Sequence, residues 1–219
     1  MTTSTSSSTS RLTPSQETAD AKPSITAEAI EALLPQTQCR QCGFDGCAQY
    51  ATAIAAHKAP INRCAPGGAS GIEKLARATG ENPIALDPEY GQELPYSVAR
   101  IRAQECIGCG LCAAACPVEV VSGAPKHLYA VIESYCTGCG LCVCACPVNA
   151  VDMVEAGRNW TQEDARAARQ RYIEARERRA RIRRERTAAV AHDAVTRASV
   201  LAAVLAKAGA KQPKHPPHP

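Results

Sequence analysis

Cysteine is the residue type whose number and spacing could support chemistry in this chain, because 13 of its 219 residues are cysteines. Eight of them form two runs of the pattern Cys-x2-Cys-x2-Cys-x3-Cys-Pro. These are Cys106, Cys109, Cys112 and Cys116, followed by Cys136, Cys139, Cys142 and Cys146. Three thiolates spaced by two residues wrap one corner of a cubane cluster, and the fourth cysteine of such a run binds the neighbouring cluster. The spacing therefore predicts two [4Fe–4S] clusters.

The predicted ligand sets cross between the two runs. One set is Cys106, Cys109, Cys112 and Cys146, and the other is Cys136, Cys139, Cys142 and Cys116. A pair of zinc sites is the alternative, since zinc is also held by four thiolates. Zinc motifs usually place a longer loop between two Cys-x2-Cys pairs, so the pattern favours clusters and hence electron transfer.

A further group of cysteines lies nearer the N-terminus, with the spacing Cys-x2-Cys-x4-Cys-x16-Cys. Its members are Cys39, Cys42, Cys47 and Cys64. Plant-type [2Fe–2S] ferredoxins use the order x4 then x2, the reverse of this one. By spacing alone the group could bind zinc or an iron–sulfur cluster, and the clusters predicted elsewhere in the chain favour the second.

The thirteenth cysteine, Cys144, has no place in three four-ligand sites. We expect it to be a small buried hydrophobic residue beside a cluster rather than a redox thiol. No residue is predicted to be catalytic. The sequence has no G-x-G-x-x-G or other glycine-rich phosphate loop, so no nucleotide or flavin site is predicted.

An internal repeat positions the two cysteine runs. Residues 105–121 align without gaps on residues 135–151, an offset of 30. A strand candidate precedes each copy, at 98–102 and 127–132. The duplication predicts an α+β fold in which residues 98–157 form a pseudo-two-fold, two-cluster ferredoxin-like domain.

The first cysteine group belongs to a predicted helical module at residues 24–80. Ser24 or Thr26 could cap its first helix, which Pro35 would stop. Ser70 and Glu73 have the spacing of a capping box, and Gly80 is placed to end the helix that follows. Residues 81–97, rich in proline, are predicted to be a linker.

The N-terminal residues 1–22 are rich in Ser and Thr and are predicted to be a disordered arm. They lack the pattern of a secretory signal, which makes disulfides unexpected. No run approaches the roughly 18 uninterrupted apolar residues of a membrane span, so we expect the chain not to cross a membrane.

Charge divides the chain. Residues 1–157 hold 10 Lys/Arg against 15 Asp/Glu (−5), whereas residues 158–219 hold 15 against 6 (+9). This basic tail is predicted to be a long helix or helix pair with a frayed end, whose apolar stretch Val190–Leu205 packs against the body. Its arginines fit a solvated helix face, or an arm that docks on an acidic redox partner or an anionic membrane surface. Nucleic acid is the less favoured partner, because Tyr172 is the one Phe, Tyr or Trp residue between Arg166 and Arg186 that could stack on a base.

Residues 36–68 resemble the [4Fe–4S] module found in the B subunit of the Rnf (Rsx) electron transport complex. The resemblance includes Cys-Gly-x-x-Gly-Cys, Cys-Ala-Pro-Gly-Gly and the order of module, linker and two ferredoxin motifs, over about residues 26–155. It implies a cluster at the first cysteine group, hence three [4Fe–4S] clusters. It also implies an electron-transfer subunit rather than a catalytic enzyme, within a membrane-bound oxidoreductase complex that couples ferredoxin and nicotinamide redox chemistry to ion translocation.

The expected partners are redox proteins, either a ferredoxin or flavoprotein or other subunits of an Rnf/Rsx-type complex. The expected location is cytoplasmic, including a peripheral position on the inner face of the cell membrane through the basic tail. A rival from another class is a regulatory or nucleic-acid-binding iron–sulfur protein that acts through the arginines. A stand-alone soluble ferredoxin is the third hypothesis.

Overall fold

The computed structural model describes the backbone of residues 25–210 and the side chains of residues 25–207. The predicted arm at 1–22 and the predicted frayed end lie outside the described residues. The described helices are α1 Ala27–Leu33, α2 Cys47–Ala55, α3 Gly68–Thr79, α4 Leu111–Ala115, α5 Leu141–Cys144 and α6 Gln162–Ala210. The described strands are β1 Ser97–Ile101, β2 Val121–Ser122, β3 Ala130–Val131 and β4 Val151–Glu155. The fold is therefore mostly helical, with small sheets.

The first hydrophobic core lies among α1, α2 and α3. Thr26 caps α1 as predicted, because its Oγ1 accepts from the N–H of Ala29 at 3.2 Å. The apolar positions that face inward on the three helices are buried, among them Ile30, Tyr50 and Leu75. Three short helices can hold their positions here because each closes the same core, although none is long enough to be stable alone.

The predicted capping box is wrong. Helix α3 begins at Gly68, so Ser70 lies inside the helix rather than at its cap. The carboxylate of Glu93 accepts instead from the N–H of Ala69 at 3.0 Å. The predicted C-cap is confirmed, since Gly80 ends the helix in the left-handed conformation with φ +67°.

The segment 81–97 folds back along the first core. Its backbone exchanges hydrogen bonds with Asn62, whose Nδ2 donates to Ala85 O at 2.8 Å while its O accepts from Asp87 N at 3.0 Å. The guanidinium of Arg63 lies 4.6 Å from the centre of the Tyr90 ring. Together with the Glu93 cap, these contacts fix the segment to the module that precedes it.

The second hydrophobic core lies under two small antiparallel sheets. Strand β1 pairs with β4 from Ser97 opposite Glu155 to Ile101 opposite Val151, and β2 pairs with β3 at Val121 opposite Val131. Each sheet joins strands from different halves of the repeat, with Val98, Val121 and Val151 buried beneath them. The chain closes on itself in this way around the two cysteine runs.

The basic tail forms one helix, α6, of 49 residues, which corresponds to about 73 Å at 1.5 Å per residue. Its first half packs across both cores through Ala165, Ala168 and Ala175, which are buried. Its side chains bind both modules: Arg169 pairs with Glu31 at 3.0 Å, and Arg179 pairs with Glu119 at 3.0 Å. Trp160, just before the helix, donates from Nε1 to Pro35 O at 2.9 Å.

The expectation that Val190–Leu205 packs against the body is wrong. The large apolar side chains of this stretch, including Val190, Val195 and Leu201, are exposed. No glycine or proline interrupts the sequence from 161 to 207, so nothing turns the helix back onto the body. The half that packs is the arginine-rich one.

Among the described residues, α6 is the one helix that could cross a membrane by length and composition alone, and none of its apolar stretch is buried. Core helices of soluble proteins can have the same length and composition. Asp193 and Arg197, paired at 2.8 Å, lie inside that stretch. Each charge at the centre of a membrane helix costs about 2.5–3.5 kcal/mol, whereas each Leu or Val contributes about 0.3–0.6 kcal/mol. The charged pair therefore opposes a span.

Replacing a buried alanine of α6 tests whether the first half of the helix is fixed to the body. Ala175→Leu should lower the free energy of unfolding by about 1–3 kcal/mol, because the added atoms have no space at a fully buried site. Chemical denaturation followed by circular dichroism measures the change. Ala191→Leu, an exposed site on the same helix, is the control and should stay within about 0.5 kcal/mol.

Candidate metal centres

Three of the cavities within the described residues are each lined by four cysteines. Their volumes, partly open to solvent, are about 300, 310 and 310 Å³. Cavity 1 is lined by Cys39, Cys42, Cys47 and Cys64. Cavity 2 is lined by Cys106, Cys109, Cys112 and Cys146, and cavity 3 by Cys116, Cys136, Cys139 and Cys142. The structure thus brings together the same three sets of four that the spacing groups.

The loop at residues 36–40 forms one wall of cavity 1, and every second residue in it has a positive φ. Gln36, Gln38 and Arg40 have φ of +58°, +55° and +64°, although residues with side chains seldom adopt such values. Buried amides fix this loop, because Gln36 Nε2 donates to Glu31 O at 2.5 Å and Gln38 Nε2 donates to Gln36 Oε1 at 3.0 Å. Gln38 Oε1 then accepts from Cys47 N at 3.0 Å. These bonds connect α1 to Cys47, the first residue of α2.

Cavities 2 and 3 have linings that correspond position by position. All eleven residues that line cavity 2 match the eleven that line cavity 3 at an offset of 30 along the sequence. Each cavity takes three cysteines from one copy of the repeat and the fourth from the other copy. The two copies must therefore fold together, because neither cavity is complete within one copy.

Backbone N–H groups point at cysteine sulfurs in both of these cavities. Val120 N lies 3.4 Å from Cys116 Sγ, and Ala150 N lies 3.2 Å from Cys146 Sγ, at positions that correspond in the repeat. Ala99 N donates to Cys136 Sγ at 3.4 Å. Such donors stabilise sulfur that carries negative charge, which suits thiolate ligands.

Two glycines of the cysteine runs allow neighbouring backbone to approach closely. A Cβ on Gly138 would lie 2.6 Å from Ser97 O, and a Cβ on Gly108 would lie 2.7 Å from His127 N and O. Both residues also have positive φ, of +70° and +68°. Only glycine satisfies both conditions at these positions.

Burial makes these thiols hard to ionise without a cation. Desolvation raises the pKa of Cys47 to about 12, that of Cys142 to about 12 and that of Cys139 to about 11. At neutral pH such thiols keep their protons unless a bound metal supplies positive charge, which deprotonates them. The sites are therefore built for a cationic group that accepts four sulfurs.

The donor set and its spacing fit a cluster. Within residues 25–207, no group of three or more His, Cys, Asp or Glu side chains is spaced to hold a single metal ion. In each cavity the four cysteines instead line one shared space. Convergent thiols, N–H donors to sulfur and close backbone approach at glycine agree with the requirements of a cubane group.

Cys144 is exposed, so the expectation of a buried hydrophobic residue is wrong. Helix α5 is a single turn in which Cys142 faces cavity 3. A residue two places further along a helix points to the opposite side, which turns Cys144 towards solvent.

Thr137 is a residue of the site that sequence reasoning missed. It lines cavity 3, is 2% exposed and donates from Oγ1 to Thr37 O, which lines cavity 1, at 3.1 Å. A signal was present in the repeat, because Thr137 occupies the position held by Ile107 in the first copy. A polar residue in place of an apolar one indicates a contact that only the second copy makes.

Comparisons with known proteins agree with these sites. A family model described as a 4Fe-4S dicluster domain matches residues 99–153, and one described as a putative Fe-S cluster matches residues 34–66. Curated relatives named as the B subunit of an ion-translocating oxidoreductase complex are similar. The protein from Stutzerimonas stutzeri is 56% identical over 133 residues, which cover 61% of this chain and 69% of that protein. The chain belongs to this B-subunit family.

Other members of the B-subunit family match over a smaller share of their length. The protein from Thiobacillus denitrificans is 55% identical over 106 residues, which cover 48% of this chain and 56% of that protein. The protein from Azoarcus sp. is 50% identical over 106 residues, covering 48% and 58%. The matched region thus spans little more than half the length of these relatives.

Glycine substitutions can separate close backbone approach from backbone strain. Gly138→Ala should reduce the iron bound per chain after anaerobic reconstitution, because its Cβ would force β1 away from the cysteine run. Gly140→Ala is the matched control, since it has the same φ of +70° but no atom within 4 Å of its Cβ. The control should cost only about 1–2 kcal/mol of left-handed strain and keep its iron. Equal iron loss in both variants would contradict the close-approach explanation.

Proposed function

We propose that this chain is an iron–sulfur electron-transfer subunit that carries three [4Fe–4S] clusters. The observation that carries the proposal is the set of three cavities, each lined by four cysteines. Membership of the B-subunit family supports the same function, with other subunits of an ion-translocating oxidoreductase complex as partners. When bound, the clusters would accept and release single electrons. The chain supplies their thiolate ligands, N–H donors to sulfur and a shell that limits access of water.

The proposed ligands are the twelve cysteines that line the cavities, with Cys116 and Cys146 crossing between the halves of the repeat. The corresponding linings support a pseudo-two-fold relation between those halves. No residue is proposed to act as a catalytic acid, base or nucleophile. The proposed location is the cytoplasmic side of the cell membrane, where a complex of this type would receive soluble redox partners.

The arginines of α6 give little support to the nucleic-acid alternative. Arg169, Arg178 and Arg179 bind carboxylates of the body, and Arg171 lies 3.8 Å from the centre of the Tyr135 ring. Contacts to phosphates would have to compete with these bonds. The relatives' shared name, which describes an oxidoreductase complex, also favours the electron-transfer proposal.

Iron counting on cysteine variants tests the ligand sets. The unsubstituted protein should bind about twelve irons and no zinc after anaerobic reconstitution, since each cubane holds four. Cys47→Ala should reduce the count to about eight, because it removes a ligand from cavity 1 alone. Cys144→Ala is the matched control and should keep about twelve irons, because Cys144 lines no described cavity. A count of about eight irons with one zinc in the unsubstituted protein would disprove the cluster at cavity 1.

The contacts between cavities support a spatial order that differs from the sequence order. The hydrogen bond from Thr137 to Thr37 O joins the linings of cavities 3 and 1. Helix α4 joins the linings of cavities 2 and 3, because Cys116 N donates to Cys112 O at 3.1 Å. We therefore propose that electrons pass between cavities in the order 1, 3, 2, with cavity 3 in the middle.

Magnetic coupling between reduced clusters tests this order without requiring turnover. In Cys109→Ala, which lacks the cluster of cavity 2, the two remaining clusters should be neighbours and give a broadened EPR spectrum. In Cys139→Ala, which lacks the middle cluster, the two remaining clusters should give narrow, uncoupled signals. Iron counts of about eight would establish that each variant lost one cluster. Strong coupling in Cys139→Ala would contradict the proposed order.

A further inference from the structure

The two faces of the dicluster domain differ although their linings correspond. At cavity 3, Thr137 is 2% exposed and Val118 is 4% exposed. Their counterparts at cavity 2, Ile107 and Val148, are 60% and 38% exposed. The repeat relates these residues pairwise at an offset of 30. One face is therefore covered, while the corresponding face is open.

The covered face is occupied by this chain itself. The loop of cavity 1 receives the hydrogen bond of Thr137 through Thr37 O, at 3.1 Å. Arg179 of α6 donates to Cys116 O at 2.6 Å and pairs with Glu119 at 3.0 Å. A module with its own four-cysteine cavity thus covers the cavity 3 face, so that face is an interface between two metal centres.

The open face has the composition of an interface core. Ile107 and Val148 line the rim of cavity 2, and Leu111 and Leu128, each next in sequence to a lining residue, are 49% and 52% exposed. Cys109 is exposed, whereas its counterpart Cys139 is not. Arg102, next in sequence to the lining residue Ile101, is paired with Glu105 and Asp152. Exposed aliphatic side chains around a candidate metal centre mark an interaction site.

We propose that the cavity 2 face, defined by Ile107, Leu111, Leu128 and Val148, docks a small protein that carries a one-electron redox centre near its surface. This inference rests on the proposed function and adds the place where the electron enters or leaves. The occupant follows from the covered face, where the same lining is closed by a polypeptide that carries a metal centre. With a cluster bound in cavity 2, one electron would cross the interface: the partner's centre would be oxidised by one electron and the cluster reduced by one, or the reverse, with no bond made or broken.

Binding of an oxidised two-cluster bacterial ferredoxin, used as the probe, tests the docking face. Hydrogen–deuterium exchange on the reconstituted protein should show protection at residues 105–112 when the ferredoxin is added. Ile107→Glu should weaken binding at least tenfold, because it places a charge in the apolar rim. Ile84→Glu, which changes an exposed isoleucine of the segment 81–97, is the matched control and should bind as the unsubstituted protein does.

Leu128→Asn keeps the test informative if Ile107→Glu fails to fold, because Leu128 belongs to the proposed docking face, is 52% exposed and does not line cavity 2. It should weaken binding several-fold while leaving the iron count and the reduction by dithionite unchanged. The inference is overturned if the Ile107→Glu and Leu128→Asn variants both bind within twofold of the unsubstituted protein, if protection appears only outside the cavity 2 face, or if the ferredoxin does not bind. Normal dithionite reduction with any of these outcomes would leave the proposed function intact.

Discussion

The crossing of the fourth cysteine is the constraint on which the dicluster domain depends. Cavity 2 needs Cys146 from the second copy of the repeat, and cavity 3 needs Cys116 from the first. Neither set of four can form unless both copies are folded and in register. The pairing of β1 with β4 and of β2 with β3 imposes that register, since each sheet joins strands from different copies. A small core suffices because the proposed metal–sulfur bonds would add the cross-links that few large side chains could provide.

Helix α6 joins the first module to the dicluster domain. Its buried alanines allow the helix backbone to lie close to the surface beneath, and its arginines bind carboxylates on both modules. Tyr172 packs against the second core, and its hydroxyl lies near Gly46 beside cavity 1. The helix therefore holds the first module in a fixed position on the cavity 3 face. Without that position, the hydrogen bond between Thr137 and Thr37 could not connect the two linings.

The two copies of the repeat form cavities with corresponding linings, but the rest of the chain covers only one of them. This difference explains how two similar sites can take different roles. The lining residues of the two copies correspond in position and largely in type, so the chemistry at the two cavities is similar. The main difference is what covers the lining, since one face meets the first module and α6 and the other meets solvent. The proposed middle and terminal positions in an electron path follow from this covering, since both cavities have the same kind of ligands.

The sequence by itself determined how the cysteines are grouped. Cysteine spacing predicted the three sets of four that line the cavities, because a short run of thiols restricts the geometry that its backbone can adopt. The cap at Thr26 and the end of α3 at Gly80 depend on residues that are close in sequence, and both were predicted. The position of Ser70 within its helix and the destination of α6 were not, because each depends on which surface lies nearby rather than on neighbouring residues. The exposure of Cys144 was not predicted either, since it follows from the orientation of α5, in which Cys142 faces cavity 3.

Only the tertiary structure decided which cavities are neighbours and which face is open. Residues 37 and 137 are 100 positions apart, and no local pattern states that they meet. Sequence alone also left open whether the tail helix packs on the body, because its alanines and arginines suit both a solvated helix and a packed one. The first half of α6 packs on the body because its buried alanines allow close approach and its arginines pair with carboxylates of the body. The twelve cysteines were readable from spacing, whereas their spatial order required the fold.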